Sequence, residues 1–146
     1  MQDFVHLHVH TQYSLLDGQA SVARLVDKAM QNGMKGIAVT DHGNMFGIKE
    51  FTNYVNKKNS GPKGEVKDLK KRIAGIEAGT IECADKEAEI AACKAKIVEA
   101  ENKLFKPVIG CEMYVARRTM DLKEGKPDQS GYHLIVLAKN EKGYHK

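Results

Sequence analysis

The first part of the chain alternates strand and helix patterns. In Phe4–His10 apolar side chains alternate with imidazoles, which predicts a strand. Ala20–Asn32 carries apolar residues at helical spacing and predicts a helix, as does Met45–Asn56. Between these helices, Lys35–Thr40 contains Gly-Ile-Ala-Val, the pattern of a short buried strand. This βαβα order favours an α/β fold with a parallel sheet or a barrel.

The middle of the chain, residues 57–104, follows a different pattern. It opens with Asn-Ser-Gly-Pro-Lys-Gly, which predicts a linker. Two charged segments then carry narrow apolar seams, at alternating spacings of three and four residues that are typical of packed helices. The seam residues are Val66, Leu69, Ile73, Ile76, Ile90, Cys93, Ile97, Ala100 and Leu104. We expect a helical hairpin inserted between barrel elements, with a structural or partner-docking role.

The last part of the chain, residues 105–146, returns to strand patterns. Pro107–Ala116 and Tyr132–Lys139 are apolar and β-branched, and a polar loop joins them. Asn140–Lys146 resembles the start of a helix without a terminating signal. We therefore expect residues 1–56 and 105–146 to form one incomplete barrel domain within a longer protein.

Composition excludes several classes of protein. The chain has 146 residues, of which 42% are hydrophobic and 29% charged, as expected for one small folded domain. No apolar run approaches the roughly 20 residues needed to cross a bilayer. The N-terminus lacks the pattern of a secretory signal, and Met1 resembles a true start, so we expect a cytoplasmic location without membrane attachment. Three cysteines without a C-x-x-C spacing argue against a disulfide framework and a thiolate zinc finger.

Histidines are concentrated in the first predicted strand. His6, His8 and His10 are three of the six histidines, and alternation places them on one face of that strand. Imidazole is the commonest metal ligand near neutral pH. The cluster therefore indicates a metal site, although a surface strand that happens to carry histidines would give the same pattern.

Further polar residues follow the predicted strands. Asp17 lies in the loop after the first strand, and Asp41 and His42 come directly after the second. Ligands of α/β folds gather at this edge of the sheet. A turn that opens the next helix is the alternative explanation, and it is the better one for Asp17 taken alone.

Two polar residues interrupt the later apolar strands. Glu112 lies within Pro107–Ala116, where burial of a carboxylate costs several kcal/mol unless it is paired or bound to metal. A bridging role between two cations would remove that cost. His133 opens the next apolar strand. Cys111 is better explained as a small core residue than as a ligand.

Together these residues predict one site at the same ends of successive strands. The candidate ligands are His8, His10, Asp17, His42, Glu112 and His133. Nitrogen and oxygen ligands of this kind suit zinc, manganese or iron. Clustered divalent ions activate water and neutralise phosphate charge, which indicates phosphoester hydrolysis.

The motifs of both outer regions resemble the polymerase and histidinol phosphatase (PHP) domain, and more narrowly the PHP domain at the N-terminus of bacterial DNA polymerase III alpha subunits. They are His6-Leu7-His8-Val9-His10-Thr11, Tyr13-Ser14-Leu15-Leu16-Asp17-Gly18, Thr40-Asp41-His42-Gly43-Asn44, Lys106-Pro107-Val108-Ile109-Gly110-Cys111-Glu112 and His133-Leu134-Ile135-Val136-Leu137-Ala138. The resemblance does not extend to residues 57–104.

This resemblance implies a distorted (β/α)7 barrel with up to three metal ions in the complete domain. It implies that the six candidates above bind the metals, with Glu112 bridging, and that His6 and Asp41 support the ligands without contacting metal. It also implies DNA-templated DNA synthesis by the whole protein. The PHP part would act as a 3′→5′ exonuclease or phosphoesterase, or as a scaffold for a separate exonuclease and other replisome subunits. The alternatives are a free-standing PHP phosphoesterase and a non-catalytic replisome docking module.

Overall fold

The computed structural model describes residues 4–145 and has a mixed α/β architecture. Contacts between Cα atoms divide it into two compact units, Met1–Val55 with Lys106–Lys146, and Asn56–Phe105. The elements within the described residues are α1 (Val22–Gln31), β1 (Gly36–Val39), α2 (Ile48–Lys58), α3 (Ser60–Glu77), α4 (Lys86–Asn102), β2 (Lys106–Val115), a 3-10 turn (Lys126–Asp128), β3 (Tyr132–Leu137) and α5 (Glu141–Tyr144).

Local signals explain the first helix and strand. The Ser21 hydroxyl accepts a hydrogen bond from the Arg24 amide (3.4 Å) at the start of α1. Gly33 follows the helix with φ of 76°, a conformation that costs glycine little. The apolar face of α1 is buried, and every residue of β1 is buried as well. Both elements confirm the predictions from the sequence.

The sheet has the order β1-β2-β3. β1 is parallel to β2, with Gly36 opposite Lys106, as the βαβ pattern predicts. β3 is antiparallel to β2, with Val115 opposite Tyr132, so the sheet is mixed and the parallel arrangement expected from the βαβα order holds only for β1 and β2. The physical reason lies in the connection. A parallel return needs a crossover, usually an α-helix, and residues 116–131 contain only a short 3-10 turn.

The predicted strand Phe4–His10 is not a regular strand. The segment runs beside β1, where the Ala38 amide donates to the His6 carbonyl and the Thr40 amide donates to the Val9 carbonyl (2.9 Å each). The two acceptors, His6 and Val9, are three residues apart, whereas the two donors, Ala38 and Thr40, are two residues apart. The extra residue interrupts the ladder in the manner of a β-bulge. Simple alternation therefore does not hold between His6 and the two histidines that follow.

The unit Asn56–Phe105 contains the predicted pair of helices, and α3 and α4 pack against each other. Ile76, Cys93, Ile97 and Ala100 of the seams are buried. The predicted linker is wrong, because α3 begins at Ser60 and includes Pro62. Proline is tolerated in a first helical turn, where its missing amide hydrogen has no intrahelical partner to lose. Whether this unit is an insertion into a barrel domain stays a prediction.

Asn59 ties together the two ends of this unit. Its side-chain amide donates to the Phe105 carbonyl (2.7 Å), and its oxygen accepts from the Phe105 amide (2.9 Å). Asn59 is buried, so this reciprocal pair satisfies polar groups that would otherwise be costly.

Across the part of the chain that the structure describes, no helix is both long enough and apolar enough to span a membrane.

Candidate metal centre

The centre of the site lies just after β1, where residues 41–43 continue to pair with β2 beyond the end of the strand. The Gly43 amide donates to the Glu112 carbonyl (2.9 Å), and the Glu112 amide donates to the Asp41 carbonyl (3.1 Å). His42 and Glu112 are thus neighbours in an isolated parallel bridge beyond the end of β1. This pairing places an imidazole beside the carboxylate.

The first group of candidate ligands joins the N-terminal segment to β2. The Nε2 atoms of His8 and His10 lie 3.0 Å apart, and each lies 3.0 Å from Oε2 of Glu112. Ligands of a tetrahedral zinc ion at roughly 2.0–2.1 Å would be about 3.3 Å apart. A compact triangle of one oxygen and two nitrogen atoms therefore suits a shared cation.

The second group joins β2, β3 and the segment that follows β1. It consists of His42, Glu112 and His133, and its ligand atoms lie within 4.8 Å of one another. Nδ1 of His133 lies 2.7 Å from Oε1 of Glu112. His133 arrives here because β3 is antiparallel, so its start lies beside the end of β2, with His133 opposite Tyr114. The expectation that all candidates lie at the same ends of their strands is wrong for His133, which lies at the start of β3. Because β3 is antiparallel, this position is still at the same edge of the sheet as the end of β2.

Glu112 belongs to both groups through different oxygen atoms. Oε2 faces His8 and His10, and Oε1 faces His133. The residue is only 6% exposed. Burial alone would raise the pKa of Glu112, but the hydrogen bond with His8 and, when their rings are protonated, the charges of His42, His10 and His8 together lower it. The carboxylate is therefore held in its charged, ligand-competent form.

His42 supplies a test of whether these residues fit a metal. Its Nε2 is buried and has no hydrogen-bond partner among residues 4–145. Its Nδ1 lies 2.7 Å from Oδ2 of Asp17. An ionised carboxylate only accepts, so Nδ1 carries the proton and Nε2 presents its lone pair. A buried lone pair without a donor is the arrangement that a metal ion would satisfy.

Asp17 therefore contacts a candidate ligand, His42, without belonging to either ligand group. Carboxylates that accept from the outer nitrogen of a ligating histidine fix the orientation of its ring. The structure places Asp17 in that relation to His42.

Two further residues hold the N-terminal segment in place. Asp41 is buried and accepts hydrogen bonds from the Thr11 amide (2.6 Å) and the Thr11 hydroxyl (2.8 Å). Oγ of Ser14 lies 2.6 Å from Nδ1 of His10 and accepts from the His42 amide (3.1 Å). Ser14 thus connects one histidine from each group, and Asp41 fixes the residue after His10.

Comparison with known proteins decides what this arrangement is. The PHP domain matches residues 6–146, a range that contains both ligand groups and all their supporting residues. The chain belongs to the PHP domain family. The family resemblance inferred from the motifs is confirmed, but the expectation that it does not extend to residues 57–104 is wrong, because the matched range includes them.

Relatives of this PHP domain are named DNA polymerase III subunit alpha. It is 38% identical over 142 residues to the DNA polymerase III subunit alpha of Treponema pallidum and 38% identical over 144 residues to that of Borreliella burgdorferi. It is 31% identical over 148 residues to the corresponding subunit of Aquifex aeolicus. Each alignment covers 97% of this chain but only 8–9% of the relative, so the chain spans less than a tenth of the length of these curated relatives.

Two residues near the PHP site stand apart from the ligand groups. The ring of His6 packs edge-on against Phe4, with centroids 4.8 Å apart, and faces a depression that it shares with residues of α1. Cys111 is buried, and burial raises the pKa of its thiol. The thiol donates to the carbonyl oxygens of Asp41 and Asn44 (3.4 Å each), which is the behaviour of a core residue.

Three residues of this PHP site have roles that the sequence patterns do not predict, namely Thr11, Ser14 and Tyr114. Ser14 lies four positions after His10 in a tight polar turn, and that spacing is a signal for a supporting role. The ring of Tyr114 stacks on His42, with centroids 4.9 Å apart at an interplanar angle of 28°, and meets His133 edge-on at 5.1 Å. Its position two residues after Glu112 on the same strand face was the available signal.

Proposed function

We propose that this PHP domain binds two divalent ions that share Glu112, and that it hydrolyses phosphoesters. The observation that carries the proposal is the division of the Glu112 carboxylate, with Oε2 facing His8 and His10 and Oε1 facing His133. The ligand set of imidazole nitrogens and one carboxylate suits zinc, manganese or iron. When bound, such ions would supply activated water and neutralise phosphate charge.

The protein's own residues would position and polarise this centre. Asp17 holds the proton of His42 on Nδ1, so that Nε2 is directed into the site. Ser14 does not fix the tautomer of His10, but its contact restricts rotation of that ring. The buried Glu112 contributes a negative charge where water is scarce, which strengthens its attraction for cations.

We further propose that the chain is part of a distorted (β/α)7 barrel in a replicative DNA polymerase. Support comes from the relatives, each of which is named DNA polymerase III subunit alpha. The whole protein would then carry out DNA-templated DNA synthesis, and the PHP part would remove nucleotides in the 3′→5′ direction or hold a separate exonuclease. Its partners would be DNA and other replisome subunits, in the cytoplasm. The same relatives disfavour a free-standing phosphoesterase.

Hydrolysis of a simple phosphodiester tests the catalytic part of this proposal. The protein, stripped of metal with EDTA and reloaded with Mn²⁺ or Zn²⁺, is expected to hydrolyse methyl p-nitrophenyl phosphate, and Glu112→Gln is expected to abolish the reaction. The control is Glu101→Gln, which alters an exposed glutamate in the helical unit. Binding of metal without hydrolysis would leave a scaffold role and contradict the proposed phosphoesterase.

A further inference from the structure

The turn that carries Asp17 contains a strained residue. Leu16 has a φ of 74° and is the only non-glycine residue with positive φ within residues 4–145. A left-handed backbone brings Cβ close to the following carbonyl oxygen, so glycine usually occupies such positions. The Leu16 side chain is fully exposed, so its burial contributes nothing that would offset the strain. The surrounding backbone, and not the preference of leucine, must therefore hold this conformation.

Contacts at both ends of the turn explain the conformation. The Asp17 amide (3.1 Å) and the Gly18 amide (2.9 Å) both donate to the Ser14 carbonyl. Ser14 is buried, and its hydroxyl oxygen accepts from the His42 amide (3.1 Å). Gly18 lies so close to Thr11 that a Cβ atom there would overlap the Thr11 carbonyl. Because both ends are fixed, the residues between them are forced into a left-handed turn.

The strained turn determines where the next side chain begins. Oδ2 of Asp17 lies 2.7 Å from Nδ1 of His42, although the Asp17 side chain is exposed. An exposed carboxylate has several rotamers available, so its contact with one ring nitrogen depends on where the backbone places its Cα atom. Backbone strain persists where the surrounding structure maintains it, and it is concentrated at functional sites. The strain at Leu16 therefore coincides with a contact that a candidate ligand needs.

We infer that Leu16 is a positioning residue whose left-handed backbone places Asp17 on His42 and so directs Nε2 of His42 into the site. Leu16 belongs to neither ligand group, and its effect passes through Asp17. The consequence for metal rests on the proposed function, whereas the contact itself belongs to the metal-free protein. Glycine, which adopts positive φ freely, should replace Leu16 without loss of the contact. Proline, whose φ is fixed at about −65°, should not.

The same substitution at two neighbouring leucines tests the strain. Leu15 and Leu16 are both exposed, but positive φ occurs at Leu16 and not at Leu15. Glycine gives the unfolded chain more freedom at either position, which favours unfolding. At position 16 the relief of strain offsets this effect. Leu16→Gly should therefore unfold at a higher urea concentration than Leu15→Gly, and equal midpoints would overturn the strained turn.

The positioning role is tested first without metal. Long-range ¹H–¹⁵N correlation spectra, recorded at mildly alkaline pH where imidazole is neutral, show which ring nitrogen of His42 carries the proton. We expect the Nδ1–H form in the parent protein and in Leu16→Gly, and loss of that preference in Leu16→Pro. If Leu16→Pro does not fold, Leu16→Val takes its place, because a β-branched residue disfavours positive φ more strongly than leucine.

A Zn²⁺ titration of single and double variants gives the second arm. Leu16→Pro should weaken one of two Zn²⁺ equivalents by about tenfold, as Asp17→Asn does. Leu16→Pro combined with Asp17→Asn should bind no more weakly than Asp17→Asn alone, because both changes remove the same contact. Additive losses, or an unchanged His42 tautomer in Leu16→Pro, would overturn the inference and leave the metal centre intact. The expected tautomers in a parent protein that takes up no Zn²⁺ would support the positioning role and contradict the proposed function.

Discussion

The two units of the molecule bury different kinds of side chain. The unit that contains the sheet buries polar groups, and each of them makes hydrogen bonds or ion pairs: Thr11, Ser14, Thr40, Asp41 and Glu112. In the helical unit the buried residues are mainly apolar, among them Ile76, Cys93 and Ile97. Among the described residues of this unit, Asn59 is polar and buried, and its side chain is hydrogen-bonded to the backbone of Phe105 at the other end of the unit.

This difference teaches where to expect chemistry. Burial of a polar group costs free energy unless its partners are in place, so a fold that keeps a buried carboxylate among four histidines retains it for a purpose other than packing. An apolar seam needs no such explanation, because its burial is itself stabilising. The metal centre should therefore respond to small chemical changes, and the helical unit to changes of volume.

The largest expected effect comes from Glu112→Gln. The change is nearly isosteric but leaves two sets of histidines without their shared anion. Loss of one partner from a buried charged pair costs roughly 3–5 kcal/mol, and we expect affinity for both ions to fall at least about 100-fold. Calorimetric titration with Zn²⁺ measures this change. Glu101→Gln should leave the titration unaltered, and an equal loss in both variants would contradict the comparison.

Ile76→Ala tests the packing of the helical unit. Ile76 is fully buried, and truncation of such a side chain costs about 2–5 kcal/mol. We expect the loss of helical circular dichroism to shift to lower urea concentration while metal content stays unchanged. Val98→Ala, at a 57% exposed position of α4, should cost less than about 0.5 kcal/mol. A fall in metal content in Ile76→Ala would show that the two units are not independent.

Asp17→Asn should have a smaller effect that is confined to one ion. The amide can no longer hold the proton of His42 as strongly, and loss of such an outer partner costs about 10- to 100-fold in affinity for metal. We expect one of two Zn²⁺ equivalents to weaken by about tenfold. Asp68→Asn, at an exposed position of α3, serves as the control. If Asp17→Asn proved equal to Glu112→Gln, the bridging role of Glu112 would be wrong.

Removal of the helical hairpin should have the smallest effect on metal. Asn59 and Phe105 are hydrogen-bonded to each other, so a short glycine linker can replace residues 60–104. We expect the deletion variant to bind Zn²⁺ with the same stoichiometry and with affinity within about threefold of the parent, because no candidate ligand lies in this segment. Elemental analysis of the dialysed variant checks the result. A variant that folds but takes up no metal would place part of the site's support in the hairpin.

Much of this arrangement could be predicted because it depends on local patterns. Helix α1, strand β1 and the seams of α3 and α4 follow directly from hydrophobic periodicity and capping residues. Of the six candidate ligands, His8, His10, His42, Glu112 and His133 lie in two groups around one carboxylate. Their metal-binding role stays a prediction, which the geometry supports.

The rest depends on tertiary contacts that no local pattern encodes. The extra residue between His6 and Val9 separates His6 from the other histidines, because the register with β1 is fixed by backbone contacts distant in sequence. The antiparallel return of β3 places His133 at the site by a route that strand order alone did not indicate. Ser14 and Tyr114 acquire their roles only when segments far apart in sequence meet.

A Zn²⁺ titration of the metal-free protein, with ions counted by native mass spectrometry, tests the central claim most directly. The division of Glu112 between the two ligand groups predicts saturation at two ions per chain, with both retained after dialysis. Saturation at a single ion that survives Glu112→Gln, or no uptake of zinc or manganese at all, would contradict the shared carboxylate.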